Sequence, residues 1–255
     1  MSLETAILIC AHNEEETLPQ VIRAMQSAGR AVFLVDNAST DTSYQVMQRY
    51  ADGKNTFAYT TSTLGKAQAL RKGFTAALAQ NVSAVLTMDG DGEHQPIDMN
   101  NLLNIFARSP ETIVIGNRFP SQPLPRKDYI VAQKITELTG RYPTDPRCGA
   151  RVYPAPFLQD NLPITFAQNY GLDAELCYLA LQTRVPVHFA PITYVKKRER
   201  IFPSSPVQGN LSLNGELKDL YRVFGRGDVE LGRQVLGHEI ELQQEFSRGT
   251  EYMSR

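Results

Sequence analysis

Along its first half the chain alternates short apolar runs with longer stretches of helical period. Runs at residues 5–10 (TAILIC), 31–36 (AVFLVD), 57–60, 82–88 (VSAVLTM) and 112–116 (TIVIG) predict five strands. Between them, residues 18–25, a segment after Thr40-Asp41, residues 66–80 (KAQALRKGFTAALAQ) and the stretch before 112 predict helices. Thr17 is placed to cap the first helix, and Pro19 falls in its first turn, where a missing N–H costs nothing. Strands alternating with helices predict a mainly parallel sheet covered on both faces, with right-handed crossovers. Beyond Gly116 the texture changes. Residues 120–125 (PSQPLP) and 141–147 predict loops, 127–139 and 172–181 helices, and 150–153 a short strand. Residues 185–195 are strand-like but interrupted by Pro186 and Pro191. Residues 196–215 have no period and predict a loop. Two polar helices are expected near 216–224 and 229–246.

Composition narrows the class. The chain has 255 residues, 42% hydrophobic and 21% charged, enough for one sizeable core. A formal net charge of −1 supplies no electrostatic footprint for nucleic acid. Cys10, Cys148 and Cys177 are odd in number and widely spaced, which predicts neither a disulfide framework nor a zinc site and suits a reducing compartment. No run approaches a membrane span and the N-terminus lacks a signal-peptide pattern. The expectation is a cytoplasmic protein, with contact at the inner membrane face no more than peripheral.

The chemistry concentrates where an apolar strand stops at Asp89-Gly90-Asp91-Gly92. In an open parallel sheet ligands sit at the carboxyl ends of the strands. Residues i and i+2 of a strand share a face, so both carboxylates can address one point. A divalent cation such as Mg²⁺ or Mn²⁺ relieves their repulsion and leaves sites open for phosphate oxygens. The competing reading is a plain turn, since Asp and Gly favour turns. An EF-hand fails, because His94 and Asn100 stand where it needs Gly and Glu. His94 is expected to be a loop histidine bonded to backbone rather than a metal ligand. A second carboxylate, Asp36, ends the second strand in VDNASTD and is placed to accept hydrogen bonds from a nucleobase. One of Ser39, Thr40 and Asp41 is expected to cap the following helix.

The segments AHNEEETLPQVI, VDNASTD, LGKAQALRKGF, MDGDGEHQP and GNRF, in this order, resemble the inverting family 2 glycosyltransferases of GT-A fold. GARVYP, GLDAELCYLA and APITYVKKRERIFPSSP are similar to the dolichyl- or polyprenyl-phosphate mannosyltransferase branch. The resemblance implies an α/β nucleotide-diphospho-sugar transferase fold over residues 1–212, with a helical extension at 213–255. It implies that Ala11, His12 and Glu14 contact the nucleoside, that Asp36 binds the base and that Lys66 lines the nucleotide site. Asp89 and Asp91 would be the Asp-x-Asp motif holding the metal on the diphosphate. Arg118 would reach the phosphate region. Plainer readings stand beside these: Lys66 as a solvated helix start, Arg118 as a surface arginine, and His12 as a loop residue without a ligand.

Asp173 matches the family's catalytic base, which a hydroxyl acceptor needs and an anionic phosphate acceptor does not. Asp173 and Glu175 also suit an acidic first helical turn. Lys196, Lys197, Arg198 and Arg200 would grip phosphate as their loop closes, or form a solvated charged face. The sequence departs from that branch in two places. No lysine follows Ser204-Ser205, and residues 118–149 are short and polar where the branch carries a membrane-facing helix. The C-terminal helices, mixed in charge, suit packing or a homo-oligomer.

The resulting expectation is metal-dependent, inverting transfer of a hexose-like sugar from a GDP-, UDP- or dTDP-sugar to polyprenyl phosphate. A soluble small molecule or glycan hydroxyl is the next acceptor. Two different classes compete with transfer: a phosphatase of the haloacid-dehalogenase type, which Glu93 matches poorly, and a non-catalytic nucleotide-sugar binder.

Overall fold

A computed structural model describes residues 5–165, 167 and 171–196. The N-terminal half is β1 (Thr5–Ala11), α1 (Leu18–Gln26), β2 (Val32–Asp36), α2 (Ser43–Tyr50), β3 (Thr56–Thr60), α3 (Lys66–Leu78) and β4 (Ala84–Asp89). There follow α4 (Pro96–Arg108), β5 (Ile113–Asn117), α5 (Arg126–Thr139), β6 (Arg151–Pro154), α6 (Ala155–Asn161), a 3-10 turn, α7 (Leu172–Gln182) and β7 (Val187–Pro191). Seven strands make one sheet in the order β3-β2-β1-β4-β6-β5-β7.

β1 and β2 are buried at every position, and β4 is buried up to Met88. That is why these strands read as continuous apolar runs: helices cover both faces. α1 neighbours both α2 and α4, while α3 packs with α6 and α7. Phe33 stacks on Phe57 at 5.1 Å, and Phe74 meets Tyr153 edge-on at 5.7 Å. Each such side chain contributes about 1.5–3 kcal/mol by leaving water.

The order places β1 and β4 side by side where the winding reverses, the position at which open α/β sheets form their crevice. All pairings are parallel except those of β6, which runs antiparallel to both β4 and β5. The apolar pattern predicts β6 as a strand but not its insertion between two parallel neighbours. Nor does it predict α6, which starts directly at the end of β6, with Pro156 in its first turn. Pro186 and Pro191 do not break β7. One precedes the strand and the other ends it, the places where a missing N–H is tolerated.

Thr17 stands at the start of α1 but does not cap it; its hydroxyl instead donates to the Gly90 carbonyl at 2.9 Å. At α2, Asp41 Oδ1 accepts the Ser43 N–H at 2.9 Å, so the expected capping group acts from just outside the helix. No described helix is long and apolar enough to cross a membrane. Lys197, Arg198, Arg200, the serine pair and the expected helices near 216–224 and 229–246 lie outside the described residues.

Candidate active site

Strand register builds the site. Ala11 lies opposite Asp36, Asp36 opposite Thr60, and Cys10 opposite Asp89. The functional ends of β1, β2, β3 and β4 therefore share one edge. Two glycines let the elements close on one another. A Cβ at Gly90 would lie 2.7 Å from the Ala11 Cβ, and one at Gly149 would lie 2.3 Å from Asp89 Oδ2. Gly149 packs its backbone directly against the Asp89 carboxylate.

On the β2 side the loops are latched by neutral hydrogen bonds. Asn37 donates its N–H to the Ala11 carbonyl at 2.8 Å, and its Oδ1 accepts the Gly65 N–H at 2.8 Å. His12 Nδ1 lies 2.9 Å from the Asn37 carbonyl. Asn13 accepts the Thr40 N–H at 2.8 Å, and the Glu14 N–H donates to Ser43 Oγ at 2.7 Å. Ala38 holds a φ of 52°, the left-handed region that a non-glycine residue enters at a cost. Asp36 is 2% exposed. Its Oδ2 accepts from the Ser39 N–H at 3.2 Å and the Thr60 hydroxyl at 2.9 Å, while its Oδ1 is buried with no donor.

Around β4 the interactions are ionic. Lys66 Nζ lies 2.8 Å from Asp89 Oδ1 and 3.2 Å from Asp173 Oδ2. Lys66 is thus half-buried between two carboxylates, not a solvated helix start. Burial opposes its charge, but Asp89 and Asp173 outweigh it and push the ammonium well above the ordinary lysine range. Burial likewise raises Asp89, and Lys66, with His94 and Arg118, overrides it so that this carboxyl is held low. At Asp91 no cation offsets burial in this way. Burial first, then the Asp89 charge, push it up to about 7, and its Oδ1 accepts the Glu93 N–H at 2.9 Å.

His94 departs from expectation. It is 3% exposed, its Nδ1 has no partner and lies 4.0 Å from Asp89 Oδ2, and its Nε2 lies 3.9 Å from Cys148 Sγ. Burial lowers its pKa. Its backbone bridges to Tyr194, whose hydroxyl donates to Glu93 Oε2 at 2.7 Å.

Arg118 is enclosed rather than on the open surface. Its Nε and Nη2 donate to Asp145 at 2.9 and 2.8 Å, and Nη2 also reaches Asp128 at 2.9 Å. The guanidinium lies 5.1 Å from the Phe119 ring centroid and 5.5 Å from that of Tyr194. It adds positive potential near Asp89 while holding the segment after β5.

Asp173, in the first turn of α7, is shared by two cations, since Arg151 Nε lies 3.7 Å from its Oδ1. Arg151 is fully buried and donates to the carbonyls of Cys148, Pro146 and Asp173, each at 2.6 Å. Glu175 Oε2 accepts the Ala167 N–H at 2.9 Å, a structural bond rather than a helix-dipole contact alone. Sequence reasoning misses Asp128, Asp145, Gly149 and Arg151. One signal exists for Arg151: a charged residue inside an apolar strand must be paired.

Asp89 and Asp91 suit a divalent cation, because a carboxyl raised by its neighbour's charge gains from a positive charge. Among the described residues no group of three or more His, Cys, Asp or Glu side chains is placed to hold a metal ion. An ion held by the pair would need water or phosphate oxygens as its other ligands.

A sheet of this order carrying this edge is the GT-A glycosyltransferase fold. Residues 6–150 match the family model for glycosyl transferase family 2, and the chain belongs to that family. Among similar proteins is an uncharacterized protein of Methanocaldococcus jannaschii, 27% identical over 69% of this chain and 80% of its own length. Another is the undecaprenyl-phosphate 4-deoxy-4-formamido-L-arabinose transferase of Salmonella paratyphi B, 25% identical over 73% of this chain. The match spans only 60% of that transferase's length. Among solved structures, glucosyl-3-phosphoglycerate synthase of Mycobacterium tuberculosis superposes with a TM-score of 0.66 at 17% identity, over 89% of this chain and 82% of the other. A complex of that synthase with Mn²⁺, UDP and glucosyl-3-phosphoglycerate superposes with a TM-score of 0.64 at 17% identity, over the same shares of the two chains.

Proposed function

We propose that this glycosyltransferase moves a hexose-like unit, with inversion, from a nucleoside-diphosphate sugar to a polyprenyl phosphate, using Mg²⁺ or Mn²⁺. The observation that carries the donor half is the carboxylate pair at the end of β4, with Asp91 raised to about 7 and open to a cation. Bound there, the cation would offset the charge that builds on the departing nucleoside diphosphate. Asp36 Oδ1, buried without a donor, would accept a hydrogen bond from the base. Ala11, His12 and Glu14, latched to the β2 loop, would flank the nucleoside. Arg118 would reach the phosphate region, and Lys197 and Arg198 would grip phosphate. Displacement from the face opposite the diphosphate gives inversion.

The acceptor reading is supported by the surroundings of Asp173. Asp173, the base candidate for a hydroxyl acceptor, is already engaged by two cations, 3.2 Å from Lys66 and 3.7 Å from Arg151. An acceptor that arrives as an anion needs no base, and a phosphate monoester is one. The undecaprenyl-phosphate relative supports the polyprenyl form. The Mn²⁺ and UDP in the synthase complex support a metal–nucleotide donor site.

Calorimetric titration with GDP, UDP and dTDP, each with Mn²⁺ and then excess chelator, tests the donor half. One nucleotide is expected to bind only with metal, and Asp91→Ala is expected to abolish that binding without unfolding the protein. Unchanged nucleotide binding by Asp91→Ala would remove the metal assignment. For the acceptor half, turnover is expected with a short polyprenyl phosphate and not with the corresponding polyprenol.

A further inference from the structure

Lys66 occupies the place of a cation. Its ammonium sits between Asp89 Oδ1 at 2.8 Å and Asp173 Oδ2 at 3.2 Å, with the side chain 17% exposed. Its position is fixed from behind: it opens α3 immediately after Gly65, whose N–H is held by buried Asn37. The other oxygen of Asp89 is turned toward Gly149 and His94. A free divalent cation approaching Asp89 therefore meets a carboxylate already neutralised, beside a fixed positive charge that repels it. Asp91 alone is a one-carboxylate site, too weak for a cation that gives up its water reluctantly.

We infer that Lys66 is a resident counter-cation that makes metal binding conditional on the nucleotide. The ion is held only as a metal–diphosphate complex, whose phosphate oxygens supply the missing ligands and whose negative charge offsets the repulsion from Lys66. This assigns Lys66 an ordering role beyond lining the nucleotide site, and it rests on the reading of Asp89 and Asp91 as the metal-holding pair.

The test is Mn²⁺ binding, read from the loss of the free-ion electron paramagnetic resonance signal at fixed pH. Wild type, Lys66→Met and Lys66→Arg are compared without nucleotide and with whichever of GDP, UDP or dTDP binds. Wild type is expected to bind Mn²⁺ alone at least about tenfold more weakly than with nucleotide, because the Lys66 ammonium already occupies Asp89 Oδ1 and repels a second cation there. Lys66→Met is expected to gain about tenfold or more in nucleotide-free affinity, and Lys66→Arg, which keeps the charge, to stay near wild type. Where circular dichroism shows that Lys66→Met does not fold, Lys66→Met with Asp173→Asn carries the same comparison. It leaves no second bare carboxylate while still freeing Asp89. A folded variant without Lys66 that holds Mn²⁺ no tighter than wild type overturns the inference. Failure of wild type to bind Mn²⁺ even with nucleotide would instead remove the metal-holding pair itself, so the two failures are distinguishable.

Discussion

Beside β2, Asn37 joins three loops through neutral hydrogen bonds of 2.8–2.9 Å to Ala11, Gly65 and His12. Beside β6, Arg151 and Lys66 join theirs through charge, with Asp173 held between them. The two flanks of one edge are rigid for different reasons. A neutral bond exchanged for one to water contributes about 0.5–1.5 kcal/mol, so the β2 flank is a sum of small, replaceable parts. A buried ion pair contributes little beyond an apolar equivalent, yet losing one partner strands the other. The Asn37 latch should therefore degrade gradually under mutation and the Arg151–Asp173–Lys66 cluster abruptly.

Arg151→Met is the harshest test of that contrast. It leaves three carbonyls without their donor and Asp173 with one cation fewer, and is expected to lower stability by about 3–5 kcal/mol in chemical denaturation. Asn37→Ala should be milder, about 1–3 kcal/mol, because the Gly65 N–H loses its buried acceptor but no charge is stranded. Equal losses from the two would erase the distinction between the flanks. A further effect is one of pH. Asp91 is raised from 3.8 to about 7, so between those values the folded chain keeps a proton that the unfolded chain has lost. Its contribution to stability is complete below the lower value and lost as pH rises through the upper one. Nucleotide binding with Mn²⁺ runs the opposite way, because it needs the ionised form. Affinity should climb about tenfold per pH unit toward about 7 and then level off, and Asp91→Asn should flatten the profile.

The same division explains what is legible in the sequence. β1, β2 and β4 are readable because burial on both faces forces an unbroken apolar run, and the residues that end them follow at once in the chain. Asp36, Asp89 and Asp91 can be placed on a common edge from the strand pattern alone. Lys66 can be placed beside them but not paired, because its second partner, Asp173, is 107 residues away and nothing local marks the contact. Arg118 poses the same difficulty: Asp145 lies in a stretch readable only as a loop. His94 looks like a loop residue because polar flanks say nothing of depth, and it is buried beside Cys148 with Tyr194, from beyond β7, bridged to it. Long-range ion pairs and loops covered by distant segments leave no periodicity to read.

The antiparallel strand also sets a distance. Had β5 paired directly with β4, the carboxyl ends of the two would stand one interstrand step apart, about 4.8 Å. With β6 interposed that separation becomes two steps, about 10 Å. At that edge of the sheet the gap is filled by the amino end of β6, where Gly149 presents bare backbone to Asp89. The inserted strand is a spacer. It holds the aspartate pair and the Arg118 cluster apart, and the ladder on either side fixes that spacing.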